Sequence, residues 1–142
     1  MISIDLKQLE LPPFWQDEVP ASRGAGTFPL VPFPEIEDLG AVYFELEPEH
    51  HLATHTDSQD EILVVLEGRG RAHVGEESVE VDTRSIVFVP AMAPHGIENT
   101  GEETLRVLGI FAGSEVDSTF LRVLQPYGTA ELQIRPMETA DA

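Results

Sequence analysis

From residue 41 onward the chain reads as a succession of short strands. In Ala41-Val42-Tyr43-Phe44-Glu45-Leu46 the side chains of Val42, Phe44 and Leu46 fall on one face, because successive strand residues point to opposite sides. Glu61-Ile62-Leu63-Val64-Val65-Leu66 is a continuous apolar run of strand length, closed by Glu67-Gly68-Arg69-Gly70. Arg71–Val74 and Ser78–Val81 flank Gly75-Glu76-Glu77 and predict a hairpin. Ser85–Val89 and, after the turn Asn99-Thr100-Gly101, Leu105–Phe111 are further strands. Phe44, Phe88, Met92, Val107 and Phe111 are expected in the core or as pocket walls. Short strands at this spacing, broken by glycine and proline, predict an all-β sandwich or barrel.

The ends read differently. Residues 1–40 form a proline-rich arm with Pro12-Pro13, Pro29, Pro32 and Pro34, in which no helix of useful length fits. Phe14 and Trp15 lie in this arm and need cover, from the barrel or from a second copy. That need, with the edge strands of an open sheet, predicts a homodimer. Residues 113–142 are an extension in which Val116–Gln125 fits a short helix and the tail after Arg135 frays. The 142 residues read as one domain: arm 1–40, barrel 41–112 and extension 113–142.

Charge changes the picture. Against 26 Asp+Glu stand 8 Lys+Arg, a net −18, with Lys7 the one lysine. Such a field repels phosphate backbones and anionic membranes, so neither nucleic acid nor membrane is an expected partner. The acidity runs along the whole chain, which suits solubility or a salt-loaded host better than a docking patch. Zero cysteines excludes disulfides and thiolate sites. No membrane-length apolar run or basic, apolar leader is seen at the N-terminus, and the cytoplasm is the expected compartment.

The chemistry concentrates in two stretches, His55-Thr56-Asp57-Ser58-Gln59-Asp60-Glu61 and Pro90-Ala91-Met92-Ala93-Pro94-His95. His55 and Asp57 share a strand face, Glu61 returns to it an even step later, and His95 follows a strand and a proline-bounded turn. Two imidazoles and one or two carboxylates converging inside a barrel are what a divalent transition metal needs. His50 and His51 read as surface-loop histidines, with His51 on the strand parity of His55 and so near the barrel mouth. His73 shares parity with Arg69 and Arg71; this reads as a solvated face, from which Arg71 could meet an anionic substrate.

These residues resemble the motifs of the cupin superfamily, G-x5-H-x-H-x3–4-E-x6-G and G-x5-P-x-G-x2-H-x3-N. His55, Glu61 and Gly68 fall in register with the first, Pro90, His95 and Asn99 with the second. The resemblance covers roughly residues 41–112 and implies a double-stranded β-helix, the cupin jelly-roll barrel. It also implies metal ligation by His55, Glu61 and His95. Glu49, Arg84 and Met92 stand at three of the motif glycines, all turn positions. Asp57 stands where the family carries its second metal-binding histidine. If Asp57 ligates, the site has two imidazoles and two carboxylates; if not, a two-histidine, one-carboxylate set leaves Asp57 to orient a ligand or act as a base.

The expected cofactor is a divalent transition metal: iron, manganese, nickel or zinc. The expected function is a metal-dependent enzyme on a small oxygen-bearing organic molecule, with Asp57 and Glu61 as catalytic residues. Dioxygenase-type oxidation is the first reading, with lyase or isomerase chemistry beside it. The alternatives are a non-catalytic metal or small-molecule binding or sensor cupin, and a structural cupin with a vestigial site.

Overall fold

The computed structural model describes residues 1–138. After a three-residue 3-10 turn, Leu6–Gln8, come twelve strands: β1 (Pro13–Trp15), β2 (Arg23–Thr27), β3 (Gly40–Leu46), β4 (His51–Asp57), β5 (Glu61–Glu67), β6 (Arg69–Val74), β7 (Glu77–Asp82), β8 (Ile86–Val89), β9 (His95–Asn99), β10 (Leu105–Phe111), β11 (Val116–Leu124) and β12 (Thr129–Ile134). They form two six-stranded antiparallel sheets, ordered β1-β2-β3-β10-β5-β8 and β12-β11-β4-β9-β6-β7. Neighbours distant in sequence, such as β3 and β10, alternate with local hairpins. This is the expected all-β jelly roll.

The core lies between the sheets and follows the strand alternation. Phe44 and Leu46 of β3, Leu63 and Val65 of β5, and Leu105, Val107 and Phe111 of β10 are buried. The hairpin expected around Gly75 is β6–β7, with Val74 opposite Glu77. Asn99 ends β9 by donating from Nδ2 to the Leu46 and Glu103 carbonyls, both 2.8 Å, while its Oδ1 accepts from Gly101 N–H. The motif asparagine thus ties a turn to β3 and satisfies buried backbone groups there.

Several expectations are corrected. Val116–Leu124 is a strand, not a helix: Val116, Ser118 and Phe120 are buried at every second position, and β11 lies beside β4. Phe88 and Met92 are 57% and 61% exposed, so neither is core. On β8 it is Val89 that is buried, which turns Phe88 outward. His51 faces away from His55, because a register shift between Leu52 and His55 inserts an extra residue and reverses the parity. Phe14 is buried in this chain's own core, since β1 and β2 extend the first sheet. The tail expected to fray is hydrogen-bonded as far as Met137, whose N–H donates to the Val31 carbonyl; its last four residues lie outside the described ones.

Candidate metal centre

Three adjacent strands of the second sheet supply most of the site. His55 of β4 lies directly opposite His95 of β9, and on its other side His55 and Asp57 pair with Phe120 and Ser118 of β11. The fourth predicted residue, Glu61, comes from β5 of the facing sheet. Gly109 on neighbouring β10 makes room for it, since a Cβ there would overlap Glu61 Oε2. The sheet interior thus brings together His55, Asp57, Glu61 and His95, all less than 9% exposed.

Each imidazole is oriented by its own backbone. His55 Nδ1 lies 2.8 Å from the Ala53 carbonyl and His95 Nδ1 2.9 Å from the Ala93 carbonyl. Since carbonyls only accept, Nδ1 carries the proton in both neutral rings and the Nε2 lone pairs face the cavity. His95 Nε2 lies 3.0 Å from Asp57 Oδ2 and 3.3 Å from Glu61 Oε1; His55 Nε2 lies 3.5 Å from Asp57 Oδ2. Phe120 stacks on His55 with ring centroids 4.6 Å apart. Ser118 Oγ donates to Asp57 Oδ1, which leaves Oδ2 aimed at the two rings.

Asp57 Oδ2, Glu61 Oε1 and His95 Nε2 are buried without a hydrogen-bond partner. Burying polar atoms this way costs about 1–3 kcal/mol each, so these three atoms, all acceptors while the His95 ring is neutral, call for a shared cation, a proton on His95 or a metal ion in its place. Ligand bonds of about 2.1 Å at right angles would separate donor atoms by about 3 Å, close to the spacing seen. The donor atoms of His55, Asp57 and His95 lie mutually within 4.8 Å. Glu61 reaches this trio from the side, through its contact with His95.

The same convergence governs protonation. Burial disfavours the charged His95 ring, but the Asp57 and Glu61 carboxylates at Nε2 and the Ala93 carbonyl at Nδ1 push it up to about 10. Burial also works against ionised Asp57, yet the two imidazoles and the Ser118 hydroxyl hold it well below the usual carboxylate range. Glu61 is raised, by burial first and then, against the His95 contact, by the Asp57 charge.

Above the site lies a cavity of about 70 Å³, lined by Phe28, Val42, Phe44, Leu63, Phe111 and Leu132 among others. Ser118 and Phe120 escape the sequence reading, although Val116, Ser118 and Phe120 alternate and carry the signal of a strand. Arg71 and His73 are not in the cavity: Arg71 pairs with Glu80 at 3.3 Å on the outer face, and His73 meets Thr54 Oγ1 there at 2.9 Å.

The sequence profile of the cupin domain matches residues 42–111. An uncharacterised protein of Streptomyces coelicolor is 30% identical over 102 residues, 72% of this chain and 96% of that protein. Among solved structures, a putative sugar phosphate isomerase from Acidithiobacillus ferrooxidans superposes with a TM-score of 0.64 at 19% identity, covering 94% of this chain and 84% of that one. Oxalate decarboxylase from Bacillus subtilis, studied for its Mn(II) centres, superposes with a TM-score of 0.64 at 18% identity, covering 75% of this chain. This chain spans 30% of that longer protein. At these identities the two structures speak for the fold. The chain belongs to the cupin superfamily.

Proposed function

We propose that the protein is a metal-dependent enzyme that binds one divalent transition metal through His55, Asp57 and His95, with Glu61 completing or flanking the set. The observation that carries this is the trio of buried, unpartnered acceptor atoms at the junction of β4, β5 and β9. Four donors of this kind suit iron, manganese or nickel, and zinc less well. When bound, such an ion polarises a coordinated oxygen or, for iron, activates O₂. The chain's own residues do the rest. Ala53 and Ala93 fix the imidazoles, Ser118 fixes Asp57, and the apolar walls keep water out. Glu61, on the opposite sheet, is the group placed to take or return a proton at Oε1, and Asp57 can act beside it. Dioxygenase-type oxidation is the favoured reaction, with lyase or isomerase chemistry using the same groups.

The non-catalytic binder or sensor is the second reading, favoured by the small cavity volume and the depth of the site. We place the enzyme in the cytoplasm as a homodimer. No helix among the described residues is long and apolar enough to cross a membrane.

Elemental analysis of purified protein should find about one divalent ion per chain, and His95→Ala should lose most of it. Oxygen uptake by the Fe²⁺-loaded protein, screened with diketones and catechols, should vanish in His55→Ala and Glu61→Ala. Ligand binding without turnover under any metal would select the binder reading. Failure to take up any ion would sink the metal site itself.

A further inference from the structure

No lysine or arginine lines the cavity at the site. Among the described residues all eight Lys and Arg lie elsewhere; the polar side chains of the wall are His55, Asp57, Glu61, His95, Ser118, Thr27 and Tyr127, and the rest of the wall is mainly aliphatic and aromatic. The charge count follows directly. Asp57 and Glu61 can supply two negative charges, which a divalent ion would neutralise and no more. A ligand with a second charge remote from the ion, such as succinate or a sugar phosphate, would then carry that charge into a buried apolar cavity with no partner, inside a molecule of net charge −18. Burying an unpaired charge is among the costliest events in a protein. Apolar groups entering the same space gain by leaving water.

Building on the metal-site reading above, we propose that this cupin selects ligands with an uncharged, apolar body and one oxygen-bearing end. The oxygen end meets His55, Asp57 and His95; the body lies against Phe28, Val42 and Phe44. The substrate class is therefore a small diketone, phenolic or comparable hydroxy-ketone compound, and excludes compounds with a second charge remote from the metal-binding end, such as a sugar phosphate. Tyr127, which lines the cavity while 45% exposed, marks its mouth. The cavity volume of about 70 Å³ holds a tail of only a few carbon atoms unless the mouth opens.

The test isolates the tail from the metal-binding head. Butanohydroxamic acid and succinic acid monohydroxamate share one chelating group and differ in an apolar against a carboxylate end. Their binding to Co²⁺-loaded protein is read from the cobalt spectrum. The apolar ligand should bind at least tenfold tighter, and Phe28→Arg or Tyr127→Arg should erase or reverse that ratio. Equal or tighter binding of the carboxylate ligand by the unmodified protein overturns the proposal, as does no binding of the apolar one at millimolar concentration. Elemental analysis of the cobalt-treated protein is done first. If no ion is held, the metal reading fails, and the same two ligands are compared on the metal-free protein by calorimetry. There too a tighter apolar ligand supports the proposal, and an equal, a weaker or an unbound one overturns it.

Discussion

Glu49, Arg84 and Met92 hold φ angles of 70°, 75° and 67°. These are the three non-glycine residues at the motif glycines, so the turn geometry is kept although the residue that favours it is gone. A side chain in this region costs roughly 1–2 kcal/mol, and glycine returns about half in unfolded-state entropy. Glu49→Gly or Arg84→Gly should therefore raise stability by up to about 1 kcal/mol, seen as a melting midpoint about 3 °C higher. An unchanged or lower midpoint would mean the side chains make compensating contacts. Met92 is kept out of this test because its N–H donates to the Asp57 carbonyl, 2.8 Å away. Asp57 itself poses the sharper question at the site. Its Oδ2 lies nearest His95 Nε2 among the site's ion pairs, so Asp57→Ala should cut metal affinity at least tenfold by elemental analysis after dialysis. Asp57→His should keep an ion and shift preference toward zinc. Undiminished retention in Asp57→Ala would move the residue from the ion to the substrate.

Strand parity makes much of the fold and most of the site legible in the amino-acid sequence. His55, Asp57, Glu61 and His95 do line one cavity, and on β3 Phe44 and Leu46 of the face that alternation assigns are buried. Parity fails where the backbone slips. The extra residue in β4 between Leu52 and His55 flips His51 outward, and nothing in His51-Leu52-Ala53-Thr54 announces it. The long run Glu61–Leu66 hides its polarity for another reason: its outer residue Ile62 is as apolar as the inner ones, yet 43% exposed. Ser118 and Phe120 are hard to read because the polar and charged residues around them obscure an alternating strand. Packing between β5 and β10 yields its own test. Gly109 opposes Leu63 and Val42 in the ladders and leaves space for the Glu61 carboxylate. Gly109→Ala should cost about 1–3 kcal/mol through overpacking. It should also lower metal retention to the level of Glu61→Ala, measured side by side. Full retention in both would place Glu61 outside the ligand set.

Over the whole molecule, 26 acidic groups face at most 8 cationic partners. Surface pairs such as Arg135–Asp117 and Arg106–Glu67 offset little of that repulsion. Salt shortens the reach of the surplus to about 10 Å at 0.1 M and about 3 Å at 1 M. The melting midpoint should accordingly rise by several degrees across a KCl series, and a flat series would mean the charges are too dispersed to repel. That charge also bears on self-association, because two copies can meet only where carboxylates are few. The outer face of the first sheet offers such a place. Ile110, Ile62 and Phe88 form one cross-strand row and Leu108, Val64 and Ile86 the next. Ile86 and Phe88 are 68% and 57% exposed, and none of the six side chains is charged. Contiguous exposed apolar faces of this kind are where soluble proteins place contacts with partners. This one would form the centre of a standard interface of about 800 Å² per partner. Phe14 is already covered by its own barrel, and we propose this face as the interface of the expected homodimer. A two-fold axis through the face would bring the same six side chains of both copies together in a closed, isologous contact. Light scattering at micromolar concentration should give twice the chain mass. Phe88→Lys with Ile86→Lys should return the monomer mass while keeping the same metal content. A monomer mass for the unmodified chain would refute the dimer, and a dimer that survives both substitutions would move the interface elsewhere.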